Sequence, residues 1–229
     1  MTVLTLAKPA AYGRLIKRYK RFLADVELAS GEVITAHCPN PGRMLTCSDP
    51  GSRVRLTHFT DGKRKYPYRL DLVHNGNHWI GVNPNLANDI VWQAIQQGRL
   101  FNDIPLDGWQ REVPYADKRR VDFLHDTGKA LRYVEVKSVT YADAGVGLFP
   151  DAVSKRASDH LAALGQMVGA GHQAVVVYCV QRADVKQVLP AEAIDPAYAV
   201  AVKEATDIGV QFMSISVDFD SSGNSVLFC

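Results

Sequence analysis

Three side chains in one stretch have the types and spacing to handle a phosphate: Asp122, Glu135 and Lys137. Glu135 and Lys137 stand two apart in Tyr133-Val134-Glu135-Val136-Lys137-Ser138, a run that alternates like a strand. They therefore project to one side, while Val134 and Val136 project into an apolar layer. Asp122 lies in the preceding run, Arg119-Arg120-Val121-Asp122-Phe123, and a turn around residues 126–129 would fold it back toward Glu135. Two carboxylates in a half-buried site need neutralising. A divalent ion such as Mg²⁺ or Mn²⁺ does this, taking oxygen ligands and keeping several waters. It can polarise a phosphoryl oxygen and activate a bound water, and Lys137 could orient that water or balance charge developing on the phosphate. The competing reading is a salt-bridged strand pair, since Glu-x-Lys on a strand arises from ordinary cross-strand ion pairing.

The elements that must position these groups are legible in outline. The first third carries short alternating segments: Leu15–Leu23, Asp25–Leu28, Glu32–His37, Arg53–Phe59, Lys65–Val73 and His78–Val82, punctuated by Ser30-Gly31, Pro39-Asn40-Pro41-Gly42 and Asp61-Gly62. This density of short strands fits a small OB-like β-barrel over residues 1–80. From residue 81 to 229 strands alternate with helices. Ile90, Val91, Ala94 and Ile95 carry helical spacing after the cap candidate Asn83 and before Gly98. Ser154 would cap a helix bearing Ala157, Leu161, Leu164 and Val168, and Pro196 opens another that ends near Gly209. Ala174–Val180 and Val210–Val217 read as core strands. This mixture predicts a three-layer α/β domain.

Charge divides along the same line. Residues 1–70 hold 13 Lys and Arg against 5 Asp and Glu, a net +8, and the remainder holds 13 against 19, a net −6. A basic first third suits a polyanion. Arg14, Lys17, Arg18, Lys20 and Arg21 interleave with Tyr12, Tyr19 and Phe22, a pattern suited to a groove that tracks a nucleic-acid backbone. Phe22 also reads as a core residue. Asn40, Gly42 and Arg43 form either a phosphate-facing loop or a plain turn. Arg119 and Arg120 precede Asp122 and could steer a backbone toward it. Lys155, Arg156 and His160 could reach the same place from their helix, His160 as a proton carrier or a structural histidine.

Other classes are poorly supported. No run approaches the roughly 20 apolar residues of a membrane helix, and no signal peptide is recognisable, which points to the cytoplasm. Cys38, Cys47, Cys179 and Cys229 make no Cys-x-x-Cys pair and no zinc spacing, so they read as reduced thiols. No phosphate-cradling glycine loop argues for a nucleotide or sugar enzyme. Oligomerisation is left open.

The ordered motifs resemble a known family. Leu15-Ile16-Lys17-Arg18-Tyr19-Lys20-Arg21-Phe22 with His37-Cys38-Pro39-Asn40-Pro41-Gly42, then Val121-Asp122-Phe123, Tyr133 to Thr140 and Phe149-Pro150-Asp151-Ala152-Val153, are similar to signatures of the sugar fermentation stimulation protein A family. The resemblance implies an N-terminal OB-like domain and a C-terminal restriction-endonuclease-like, PD-(D/E)xK domain. Its nuclease-type positions fall on Asp122, Glu135 and Lys137, with Asp122 and Glu135 as metal ligands. It further implies largely sequence-independent DNA binding and an association with sugar, particularly maltose, utilisation. Two functions follow as alternatives: a Mg²⁺- or Mn²⁺-dependent deoxyribonuclease, or a DNA-binding regulator without cleavage. The family's upstream helix carries an Asn followed by an acidic residue. Here Asn88 is present, Gln93 stands at the acidic position, and Glu112 and Asp89 are nearby substitutes.

Overall fold

The computed structural model describes residues 2–7, 9–115 and 119–229. After β1 (Thr2–Thr5), the first unit is built from β2 (Ala10–Tyr19), β3 (Leu23–Leu28), β4 (Val33–His37), β5 (Arg53–His58), β6 (Tyr68–His74) and β7 (Trp79–Gly81). The strands run in the order β4-β3-β2-β5-β6-β7, and pairing of His37 in β4 with Arg69 in β6 closes five of them into a barrel. The long β2 makes this closure by pairing with both β3 and β5. Gly13 pairs on both sides, and a Cβ there would collide with the Glu27 carbonyl, so the crossing needs glycine. Leu15, Val26, Ala36, Val54, Leu56 and Leu70 fill the interior.

An ion network sits at one end of this barrel. The fully buried Arg55 donates to Asp71 Oδ2 at 2.9 Å and to the Ala7 carbonyl at 2.7 Å. Arg69 Nε donates to Asp71 Oδ1 at 2.7 Å. Asn83 Nδ2 reaches the same oxygen at 3.3 Å, while its Oδ1 caps the following helix by accepting from Asn85 N at 3.1 Å. The helix that begins the second unit is thus fastened to the barrel at its first turn.

That unit contains α1 (Pro84–Gln96), β8 (Trp109–Tyr115), β9 (Arg119–Asp126), β10 (Leu131–Val139), β11 (Ala142–Asp143), β12 (Val146–Phe149), α2 (Lys155–Gly169), β13 (Gln173–Val180), β14 (Gln187–Pro190), α3 (Pro196–Ile208), β15 (Gln211–Phe219) and β16 (Ser225–Phe228). Its main sheet has the order β1-β16-β15-β13-β10-β9-β8, with β10, β13 and β15 parallel and β9 antiparallel to β10. α1 packs Ile90, Val91, Ala94 and Ile95 against Val134, Val136, Val175 and Val177 on one face. Leu161 and Leu164 of α2 and Tyr198 of α3 pack with Tyr133, Val139, Val176 and Tyr178 on the other. The result is three layers, as the alternating pattern predicts.

The caps fall where sequence places them. Ser154 Oγ accepts from Ala157 N at 3.3 Å at the start of α2, and Gly209 ends α3 in the left-handed region. Asp195 accepts from Ser154 N at 2.8 Å and from Tyr198 N at 3.0 Å, so one carboxylate ties the starts of α2 and α3 together.

One grouping is corrected. Residues 2–5, placed with the barrel by sequence, pair with β16 at the far edge of the second sheet. The pairing joins opposite ends of the chain, which no local pattern can reveal. The two units also meet through Met44 N, which donates to Asp151 Oδ2 at 2.8 Å, and through Gly81 N, which donates to the Gln181 carbonyl at 2.8 Å. Among the described residues no helix is long and apolar enough to cross a membrane. The cysteines are free thiols, with Cys38, Cys47 and Cys179 buried and Cys229 exposed.

A carboxylate cavity rimmed by arginines

β9 and β10 form the expected hairpin, and their register runs from Leu131↔Asp126 to Val134↔Phe123. One step further the ladder stops. Asp122 Oδ2 there accepts from the Val136 N–H at 2.6 Å, so a carboxylate takes the place of a backbone partner. The other neighbour breaks at the same level. β8 pairs Arg111 with Phe123 and Val113 with Val121, and the intervening Glu112 is left-handed with φ 53°. A non-glycine residue in that region is strained, and such strain concentrates where side chains are re-aimed. Both irregularities open the sheet around Asp122.

Asp122, Glu135, Glu112, Arg119, Arg120 and Arg156 line a cavity of about 390 Å³, completed by Asp159 and His160. Asp122 Oδ1 accepts from Asn88 Nδ2 on α1 at 2.7 Å. Glu135 Oε1 accepts from Lys137 Nζ at 2.7 Å and from His160 Nδ1 at 2.6 Å. With Arg156 Nε donating to His160 Nε2 at 3.4 Å, the imidazole carries its proton on Nδ1. Glu135 Oε2 is buried and has no hydrogen-bond partner among the described residues.

The two acids sit in opposed electrostatic settings. Burial, then the neighbouring Glu135 charge, push the Asp122 carboxyl up to about 6. Burial also pushes Glu135 up, but Lys137 and His160 outweigh it and hold this carboxyl below its usual range. Tyr115, which sequence reading passed over, packs against the core close to the two acids without lining the cavity. Its buried hydroxyl has no partner among the described residues, and burial followed by the Glu135 charge push it up to about 12. An aromatic near a strand end reads as core, so nothing in its spacing marks it.

Lys137 and Glu135 do share a side of β10, and Arg119 and Arg120 do reach the cavity rim. Gln93 bonds to Gln96 at 3.0 Å and Asp89 to Arg111 at 2.8 Å, so neither joins the cavity, whereas Glu112 does. In the barrel, Arg14 donates to the Gly51 carbonyl at 3.0 Å. Lys17 lies 3.7 Å from Asp25. Lys20 and Arg21 occupy the β2–β3 turn, both left-handed, and Arg43 is exposed. Arg18 differs from expectation. Its guanidinium donates to the carbonyls of Arg21 at 2.6 Å, Asn40 and Gly42 at 2.8 Å and Arg43 at 3.4 Å, which commits it to holding that loop rather than to an external anion.

Two family models match the chain, the sugar fermentation stimulation protein N-terminal OB domain over residues 16–82 and its RE domain over residues 85–223. A sugar fermentation stimulation protein homolog of Thioalkalivibrio sulfidiphilus is 48% identical over 202 residues, covering 87% of this chain and 85% of that protein. The chain belongs to the sugar fermentation stimulation protein family. The homolog of Citrifermentans bemidjiense is 45% identical over 212 residues, covering 91% of this chain and 90% of that protein. The solved structure of Pyrococcus furiosus SfsA in complex with Ca²⁺ superposes with a TM-score of 0.88 at 22% identity, across 100% of this chain and 96% of that one. The likeness establishes the shared fold: an OB barrel followed by a mixed α/β domain.

The residues present fit a divalent ion in part. Glu135 Oε2 is a buried acceptor that lacks a donor among the described residues, and burial and the Glu135 charge outweigh the groups that favour a charged Asp122. Among the described residues, no group of three His, Cys, Asp or Glu side chains could hold one ion. A cation here would take its remaining ligands from water or substrate, as Mg²⁺ commonly does.

Proposed function

We propose that this family member is a DNA phosphodiesterase dependent on Mg²⁺ or Mn²⁺, with Asp122 and Glu135 as its metal ligands. One observation carries the reading: a buried carboxylate oxygen on Glu135, partnerless among the described residues, shares an arginine-rimmed cavity with Asp122, whose carboxyl is pushed up to about 6 by burial and the Glu135 charge. The Ca²⁺ in the Pyrococcus furiosus relative supports a divalent ion. When bound, such an ion polarises a phosphoryl oxygen and lowers the pKa of its water.

The protein groups have separable tasks. Lys137 and His160 both engage Glu135 Oε1, which fixes the carboxylate and leaves Oε2 free. Asn88 and the Val136 N–H fix both oxygens of Asp122. Arg119, Arg120 and Arg156 would pair with a backbone phosphate entering the cavity. On the barrel, Arg14, Lys17, Lys20, Arg21 and Arg43 would hold DNA by phosphate contacts that carry little sequence information. Cleavage of DNA with Mn²⁺ by the purified protein, beside Glu135→Ala, tests this. A loss of at least a hundredfold in the variant is expected, and equal activity in both preparations would assign the cleavage to a contaminant.

A second reading rests on the ion pairing of Glu135. Lys137 already balances its charge, His160 donates a hydrogen bond to it, and Gln93 supplies no further acid. On this reading the protein is a DNA-binding regulator, linked to sugar utilisation through its family, that does not cleave. It predicts binding that persists in EDTA and weakens steeply with salt. Affinity unchanged between low and high salt would remove it.

A further inference from the structure

A second cavity, of about 320 Å³, lies on the barrel beside the loop between β5 and β6. Phe59, Tyr66, Arg64, Lys65, Arg69 and His37 line it, with Pro39 and Asn85, and no carboxylate is among them. Arg64 lies 3.9 Å from the Phe59 ring centroid, Arg69 5.2 Å from it, and Lys65 Nζ 5.5 Å from that of Tyr66. Neither Phe59 nor Tyr66 belongs to, or packs against, any of the three core clusters among the described residues. Rings that do not serve a core and are surrounded by cations call for another explanation.

From the geometry we infer that this cavity binds a base and its phosphate in single-stranded nucleic acid, and that the strand continues from there to the Asp122–Glu135 cavity. Continuity comes from a third cavity, of about 460 Å³, between the Asn40–Gly42 loop and the start of α2. Asn40 and Pro84 line it, next in sequence to Pro39 and Asn85 of the barrel cavity. Arg156 lines both this cavity and the Asp122–Glu135 cavity. Arg21, Lys155 and Arg156 outnumber the one acid of its lining, Asp151. The walls are held: Arg18 grips the loop carbonyls, and Asp151 accepts from Met44 N.

The chemistry selects a single strand. Flat rings and guanidinium planes take unpaired bases by stacking, while neighbouring cations take phosphate. A base inside a duplex has both faces occupied by its neighbours and has no such use for Phe59 or Tyr66. The two guanidiniums differ in freedom. Arg69 is anchored to buried Asp71 at 2.7 Å, whereas the only ion-pair partner of Arg64 among the described residues is Asp61 at 3.9 Å, with both side chains about half exposed. A pair of that kind is weak, so Arg64 can exchange its partner for a phosphate. The direction of the strand rests on the nuclease reading above; binding at the barrel cavity does not.

The experiment is fluorescence anisotropy of labelled oligo-dT, oligo-rU and a blunt duplex of equal length, all in EDTA, with wild type, Phe59→Ala/Tyr66→Ala and Glu135→Ala. Single strands should bind more tightly than the duplex. The double variant should lose about tenfold or more for single strands and leave duplex binding unchanged. Which of dT and rU is affected identifies DNA or RNA as the ligand. Equal affinity of the double variant and wild type for both single strands, or a duplex bound as tightly as they are, overturns the proposal. With Mn²⁺ restored, wild-type protein that still binds single strands yet cleaves them no faster than Glu135→Ala would sink the nuclease reading alone.

Discussion

Asn88 on α1 and Asp122 on β9 are joined by a 2.7 Å hydrogen bond that ties a helix to the rim of the sheet. The amide donates to the carboxylate and so favours its charged form, against the burial and the Glu135 charge that oppose it. Asn88→Ala removes that support. The Asp122 carboxyl should then titrate above its value of about 6, and ¹³C carboxyl NMR in EDTA would follow it. Metal-dependent cleavage should fall about tenfold, the size expected from loss of a group that orients a ligand.

Asp122 also gives stability a pH signature. Its folded carboxyl sits near 6 against a reference of 3.8, so the folded state binds this proton more tightly than the unfolded chain. Below about 4 both states are protonated and nothing is lost. Between about 4 and 6 metal-free stability should decline through this group, by about 3 kcal/mol in total. Urea melts in EDTA across that range should slope downward more for wild type than for Asp122→Asn. Parallel slopes would contradict the assignment.

Arg55 tests the barrel. Its guanidinium is fully buried and paired with Asp71. Arg55→Ala would leave buried Asp71 with Arg69 as its remaining cationic partner and remove a charge-assisted hydrogen bond, at a cost of about 2–3 kcal/mol. The loss should be smaller when Asp71→Asn is present as well, so a double-mutant cycle in urea separates the pair's coupling from lost packing.

Arg18 separates a structural from a binding role. Four carbonyls converge on its guanidinium, a geometry that an ammonium cannot reproduce. Arg18→Lys should therefore destabilise the protein by about 1–3 kcal/mol. Lys17→Ala, on an exposed side chain with a 3.7 Å partner, should leave the melt almost unchanged.

The grouping of Asp122, Glu135 and Lys137 was readable because its signal is local. Alternation puts Glu135 and Lys137 on one side of β10, and the turn near residues 126–129 brings Asp122 opposite. The caps at Asn83, Ser154 and Gly209 are legible for the same reason. What escaped depends on long-range placement. Tyr115 matters only because β8 lies beside β9, and the barrel's ring-and-cation cavity only because the β5–β6 loop folds against His37. Arg18 misled because a basic residue among other basic residues looks exposed, while its acceptors lie 22 or more positions away for three of its four bonds.

The β1–β16 pairing makes the barrel an insertion within the second sheet rather than a bead ahead of it. A fragment starting at α1 would lose the strand that covers β16 and present its unpaired N–H and C=O groups to solvent. Such an edge recruits further strands, so the excised half should self-associate, and a shortened protein that stays monodisperse should have to carry residues 2–5 back in trans or spliced after residue 229.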